Sequence, residues 1–245
     1  MMDIVKAKKR LGQHFLTDIG IAQDITAAIA PHTARVLEIG PGTGVLTQFL
    51  LQLPDTEVHA IELDEESVAY LQQHFPTLRP RLYAKDFLKT DLATLLQPPF
   101  SIIGNFPYNI SSQILFKILD YRDNIPEVVG MFQKEVAERV AAGPGGKTYG
   151  ILSVLLSAFY DTKYLFTVNE NVFSPPPKVK SAVIRMTRNG TISLDCDETL
   201  FVKVVKSGFN QRRKTLRNAL RQIGLPLEHI PDELLSKRAE QLSVH

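Results

Sequence analysis

Val36-Leu37-Glu38-Ile39 runs into Gly40-Pro41-Gly42-Thr43-Gly44. The apolar run reads as a strand, the glycines break it, and Thr43 to Leu53 follows with helical spacing. The same alternation continues outward. Val58-His59-Ala60-Ile61 reads as a second strand, followed by a helix from Glu65 to Phe75 with Val68, Leu71 and Phe75 on one face. Leu82-Tyr83-Ala84, Phe100 to Ile103, Val128 to Phe132 and Ala182 to Met186 read as further strands. Ile110 to Leu119 and Glu135 to Ala141 read as helices. Strands alternating with helices predict an α/β fold built on a parallel sheet with right-handed crossovers.

The pattern changes late in the chain. Pro175-Pro176-Pro177 is neither helix nor central strand, and reads as a stiff extended piece leading into the last strand. Beyond Arg188-Asn189-Gly190 the sequence is helical from Leu200, with Phe209, Leu216, Leu220 and Ile223 on one face and Gly224 and Pro226 as the stop. We therefore expect a catalytic domain over 1–188 and a small helical domain over 189–245. No internal repeat or low-complexity tract interrupts either part.

A chain of 245 residues buries a sizeable core without staples. Its single cysteine, Cys196, excludes an intrachain disulfide and a multi-cysteine zinc site, and fits a reducing compartment. The longest nearly apolar stretch, Ile151 to Tyr160, falls far short of the roughly 20 residues that span a bilayer. The basic start (Lys6, Lys8, Lys9, Arg10) is not followed by a secretory core. These features predict a soluble, cytoplasmic protein. The net charge is only +2, but Lys203 to Arg221 holds seven basic residues (Lys203, Lys206, Arg212, Arg213, Lys214, Arg217, Arg221) and no acid. Such a local excess attracts phosphate backbones, whereas solvated helix faces usually mix signs.

The glycine loop admits three ligand classes. A P-loop nucleotidase needs Gly-Lys-Ser/Thr, which is absent, and a nicotinamide enzyme favours G-x-G-x-x-G where this chain has G-x-G-x-G. The third class is a methyltransferase holding S-adenosylmethionine, a ligand without pyrophosphate, and the loop favours it. Glu62 ends the second strand, placed to accept from ribose hydroxyls. Asp86 ends the third, where it serves either as a helix N-cap or as an acceptor for an adenine amine.

Ile103-Gly104-Asn105-Phe106-Pro107-Tyr108-Asn109 follows a strand at the same sheet edge. Its residues suit methylation of an exocyclic base amine. That nitrogen is a poor nucleophile because its lone pair is delocalised into the ring. The Asn105 amide oxygen and the Phe106 carbonyl can accept its two hydrogens and favour a tetrahedral nitrogen. Pro107 stiffens the turn, and Tyr108 offers a flat face on which the base stacks. A sulfonium methyl is already activated, so neither a metal nor a strong base is required, and rate comes from in-line positioning and electrostatics.

With these residues in view, the chain resembles the KsgA-type ribosomal RNA adenine dimethyltransferases. The shared motifs are Lys9 to Leu16, Glu38 to Gly44, Ile61 to Asp64, Gly104 to Ser111, Gln133 to Val136, Phe173 to Ser181 and Phe209 to Arg217. The glycine loop is common to many methyltransferases; the opening, proline-rich and last basic motifs are far more specific. The resemblance implies a Rossmann-like S-adenosylmethionine-dependent methyltransferase sheet with a small helical C-terminal domain. It implies that His14 and Leu16 close over the cofactor, that Gly40 and Gly42 line it, that Glu62 holds the ribose and Asp86 meets the adenine amine. Asn105 would bridge cofactor and target. Phe173 is either a wall of the base pocket or a core residue. Lys178, Arg212, Arg213, Lys214, Arg217 and Arg221 are the expected RNA contacts.

The substrate so implied is the small ribosomal subunit. Two adjacent adenosines in the 3′-terminal hairpin loop of its 16S rRNA each receive two methyl groups, and the protein also serves subunit biogenesis. Nothing in the sequence demands more than a monomer. Two departures stand out: Phe106 occupies a position where leucine is more usual, and the chain stops at Val244-His245 where the family continues with another helix. The second implies either a shortened chain or a smaller C-terminal domain. The alternatives are a large-subunit rRNA methyltransferase of the antibiotic-resistance kind, against which the proline-rich and Gln-Arg-Arg-Lys motifs argue, and a mainly non-catalytic assembly factor. A DNA adenine methyltransferase lacks room for a target-recognition domain, and a nicotinamide oxidoreductase lacks an evident acid–base pair.

Overall fold

The computed structural model describes residues 5–244; His245 lies outside them. It divides into two compact units: everything described up to Ala137 together with Thr162–Arg188, and Glu138–Asp161 together with everything described from Asn189 on.

The first unit holds nine strands: β1 (Phe15–Leu16), β2 (Arg35–Ile39), β3 (Glu57–Glu62), β4 (Leu82–Ala84), β5 (Ser101–Asn105), β6 (Glu127–Gln133), β7 (Tyr160–Val168), β8 (Phe173–Ser174) and β9 (Ser181–Arg188). Seven of them form one sheet in the order β4-β3-β2-β5-β6-β9-β7. The central strands β2, β5 and β6 are buried almost throughout, as the continuous apolar runs of their sequences require in a parallel sheet covered on both faces. The first five strands in that order are parallel, whereas β9 runs antiparallel to β6 with Gly130 opposite Ile184. Strand β9 is thus reversed relative to the all-parallel expectation. The order turns round at β2, whose neighbours are β3 on one side and β5 on the other, and open α/β sheets take their ligands at such a switch point.

The helix after the glycine loop is shorter than Thr43 to Leu53; only Thr47–Leu50 is α-helical, because Gly44 (φ 81°) closes a turn with its amide on the Pro41 carbonyl before the helix starts. The strand β7 was not anticipated. Its Asp161, Thr162 and Lys163 break any apolar pattern, as suits a strand at the sheet edge that must not recruit further strands.

The second unit is helical apart from the start of β7. Its elements include Ile151–Ser157, Glu198–Asn210, Leu216–Arg221 and Asp232–Leu235. The helix predicted from Leu200 to Ile223 is two helices. The first ends at Asn210, and Leu216 and Leu220 fold back to pack with Ala239, Phe209 and Val204. Gly208 permits the return, since a Cβ there would lie 3.0 Å from that of Ala239. Glu138–Asp161, read from sequence as part of the first domain, belongs to this unit, where the Tyr149 ring meets Phe209 edge-on at 5.7 Å. No helix among the described residues is long and apolar enough to cross a membrane.

Candidate active site

Four strand ends build the site. Gly40 begins where β2 stops, its amide donating to the Ile61 carbonyl at 2.9 Å. Gly40 and Gly42 have φ of 66° and 57°, the left-handed region that only glycine enters freely. A Cβ on Gly42 would strike the Phe15 ring at 2.8 Å, while one on Gly40 would meet nothing within 4 Å. Gly40 therefore leaves open space at the floor of a cavity that it lines together with Glu62, Asp86 and Asn105.

Glu62 closes β3 and is buried. Its carboxylate accepts from the amides of Gly42 (3.1 Å), Leu63 and Asp64 (both 2.8 Å). Burial still raises its pKa above the usual carboxylate value, against these hydrogen bonds. Leu63 beside it is 53% exposed and lines the same cavity, an apolar side chain set where a flat ring can lie. Asp86 follows β4. Its Oδ1 accepts from Leu88 N at 2.9 Å and caps the turn Phe87–Lys89, so the N-cap role is realised while the residue also lines the cavity. The cavity wall carries two carboxylates and one lysine, Lys85. That balance disfavours a polyphosphate and suits a cationic sulfonium.

Asn105 ends β5. Its Nδ2 donates to the His14 carbonyl at 2.9 Å, which fixes the amide plane and leaves Oδ1 as the free acceptor. The Phe106 ring is buried at 4.8 Å from Phe132, seated where a Cβ on Gly104 or Gly130 would collide with it. What Phe106 presents to the cavity is thus its backbone, and the exchange of leucine for phenylalanine is absorbed by the core. The Tyr108 hydroxyl pairs with Ser181 Oγ, and its ring stacks on His14 at 5.3 Å and 27°. His14 in turn donates from Nδ1 to the Pro175 carbonyl at 2.8 Å. A wider groove beside the cavity shares His14 and Tyr108 and is lined by Pro175 to Val179, Lys178 included.

The N-terminal segment reaches this edge because β1 pairs antiparallel with β8, Leu16 opposite Phe173. Lys8 anchors the segment through an ion pair with Asp64 and a second, at 3.0 Å, with Glu66.

Residues 4–230 match the family model "Ribosomal RNA adenine dimethylase". The chain belongs to the ribosomal RNA adenine dimethylases. It is 60% identical to the "Ribosomal RNA small subunit methyltransferase A" of Cytophaga hutchinsonii over 99% of this chain and 95% of that protein. It is also 60% identical to the protein of the same name from Parabacteroides distasonis, over 99% and 92%. A dimethyladenosine transferase from Plasmodium falciparum superposes with a TM-score of 0.78 at 28% identity, covering 94% of both chains. The 23S rRNA methyltransferase ErmE shares the fold, with a TM-score of 0.69 at 23% identity over 93% of this chain and 96% of that one. As a dimethylase the chain is an S-adenosylmethionine-dependent methyltransferase with ribosomal RNA as its substrate. The open floor at Gly40 and the acidic wall fit that cofactor.

In this dimethylase the remaining sequence-predicted residues divide. His14, Gly40, Gly42, Glu62, Asp86 and the run Asn105 to Tyr108 gather at the cavity. Leu16 is buried and borders a small recess beside Gly40. Phe173 is core: it is buried in the cluster with Leu16, Met131 and Val183 and lines neither cavity nor groove, so the pocket-wall expectation is corrected. In the second unit Arg213, Lys214 and Arg221 are exposed. Arg212 instead donates to the carbonyls of Tyr149 (3.0 Å) and Gly146 (2.9 Å), and Arg217 pairs with Asp232. These two cations are engaged within the unit, whereas Arg213, Lys214 and Arg221 turn to solvent. Sequence reasoning missed Lys8, Leu63 and the buried Glu38, whose Oε2 accepts from Thr47 at 2.6 Å under the glycine loop. Glu38 lies in an apolar run between Leu37 and Ile39, and those neighbours are the one sequence signal of its burial.

Proposed function

We propose that this dimethylase methylates the N6 amines of two adjacent adenosines in the 3′-terminal hairpin loop of small-subunit 16S rRNA, giving N6,N6-dimethyladenosine. It would act as a cytoplasmic monomer and serve small-subunit biogenesis. The observation that carries the substrate is the 60% identity, along nearly the whole chain, to proteins named for the small subunit. The large-subunit alternative draws only on a likeness of fold, and the intact strand-end set argues against a purely non-catalytic role.

Bound S-adenosylmethionine supplies an activated methyl group on its sulfonium. Gly40 and Gly42 would let the backbone approach it, Glu62 would accept from its ribose, and Asp86 from its adenine amine. Asn105 Oδ1, oriented by the bond of its amide nitrogen to His14, and the Phe106 carbonyl would accept the two hydrogens of the target amine. This turns the nitrogen lone pair toward the methyl and holds it in line. Tyr108, its plane set by Ser181, would carry the base on the face that His14 leaves free. Lys178 in the groove, and Arg213, Lys214 and Arg221 on the second unit, would meet RNA phosphates.

Separately purified small and large subunits lacking the modification, incubated with labelled S-adenosylmethionine, test the substrate. Label is expected in the small subunit. Label confined to the large subunit would leave the chemistry standing and overturn the substrate.

A further inference from the structure

The turn beside the cavity that carries Asp86 is held by a side chain with no part in the steps above. Lys117 lies on the helix Ser111–Asp120. Its Nζ donates to the carbonyls of Phe87 (2.7 Å), Leu88 (3.1 Å) and Thr90. It also stands 5.2 Å from the Phe87 ring centroid and 5.7 Å from that of Tyr121. Three carbonyls use all three donors of an ammonium group. They also close the C-terminal end of the same short turn whose N-terminal end Asp86 caps. There the Asp86 carboxylate accepts from Leu88 N, and its carbonyl accepts from Lys89 N and Thr90 N (both 3.1 Å) and Thr90 Oγ1 (2.7 Å). An anion at one end and a cation at the other complement the dipole of the turn.

We infer that Lys117 is a positioning residue for cofactor recognition: by holding three carbonyls it fixes the Asp86–Thr90 turn, and with it the Asp86 carboxylate, against the adenine amine of the methyl donor. The inference rests on the proposed meeting of Asp86 with that amine. Lys117 itself is absent from the cavity wall, while Asp86, Phe87 and Leu88 all line it. Burial lowers the lysine's pKa, so a charged group is kept there at a cost that the three carbonyls and two ring faces offset. A neutral replacement frees the carbonyls and lets the turn relax. The cavity then loses selectivity for the amine before it loses the rest of its grip on the ligand.

Calorimetric binding of S-adenosylhomocysteine and of S-inosylhomocysteine, which carries a carbonyl where adenine has its amine, separates these effects. The full chain is compared as wild type, Lys117→Met, Lys117→Gln and Asp86→Asn, with melting temperatures recorded for each. We expect wild type to prefer the amine by about tenfold or more, the worth of one hydrogen bond to a charged group. Lys117→Met should bring the two ligands to within about threefold of each other, and Lys117→Gln should fall between. The preference kept in Lys117→Met but lost in Asp86→Asn, with only the melting temperature of Lys117→Met reduced, would overturn the role of Lys117 and leave that of Asp86 intact. A wild type without any preference would overturn the adenine assignment of Asp86 and the inference with it. If Lys117→Met does not fold, Lys117→Gln carries the same comparison.

Discussion

Asn105 does two jobs with one amide. Its nitrogen is committed to the His14 carbonyl, and this leaves the oxygen as the acceptor for the target amine. Asn105→Ala should therefore cost only about 1 kcal/mol of stability, one hydrogen bond, yet lower turnover by roughly a hundredfold or more, the scale of removing a transition-state acceptor or donor. Melting temperature and single-turnover methyl transfer read the two separately, and wild-type turnover would remove Asn105 from the chemistry. Tyr108 separates differently. Tyr108→Phe loses the bond to Ser181 but keeps the ring, so turnover should fall only a few-fold, about the worth of a neutral hydrogen bond, whereas Tyr108→Ala should lose nearly all of it. Equal losses in both would mean the hydroxyl, not the ring, matters.

Glu38 sets a pH dependence. Burial pushes its pKa up to about 8 from an ordinary 4.5, with the nearby charge of Glu62 adding to the shift and the Thr47 hydrogen bond opposing it. The folded state thus keeps a proton that the unfolded chain gives up, so this contribution is complete below about pH 4.5 and is lost as pH rises to 8. The melting temperature of Glu38→Gln, which mimics the protonated form, should fall less than that of wild type between pH 5 and pH 8. Parallel curves would show that Glu38 is ionised in the fold.

At the scale of elements, charge alone misleads. Seven cations in the basic stretch look alike in sequence, yet Arg212 clamps two carbonyls and Arg217 pairs with Asp232, while Arg213, Lys214 and Arg221 face solvent. Arg212→Ala should destabilise the second unit by about 2 kcal/mol through two lost charge-assisted bonds. Joint replacement of Arg213, Lys214 and Arg221 should leave the melting temperature near wild type and reduce the slope of log affinity for subunits against log salt by up to about 3. An unchanged slope would turn this face away from RNA. The parts legible beforehand were those with strong local signals. Apolar runs marked the central strands, and glycines and strand-end carboxylates marked the cavity. Two-residue strands such as β1 and β8 carry no periodicity, so the pairing that brings His14 to Tyr108 was invisible as structure and entered only through a motif. The polar edge strand β7 and the break after Asn210 were missed because tertiary packing, not propensity, decides them.

At the scale of the whole molecule, the first unit assembles a cofactor cavity at the switch point of its sheet and a groove beside it that shares His14 and Tyr108. The second unit contributes an exposed basic turn. Fold, cavity and family converge on adenine methylation in ribosomal RNA, and the substrate proposed is one particular pair of nucleotides. Mass spectrometry of 3′-terminal rRNA fragments, taken from unmodified small subunits incubated with the protein and S-adenosylmethionine, reads that directly. The account predicts two adjacent N6,N6-dimethyladenosines in the last hairpin loop, absent when Asn105→Ala replaces the wild type. Small subunits that emerge unmethylated there, while the protein binds the cofactor, would contradict it.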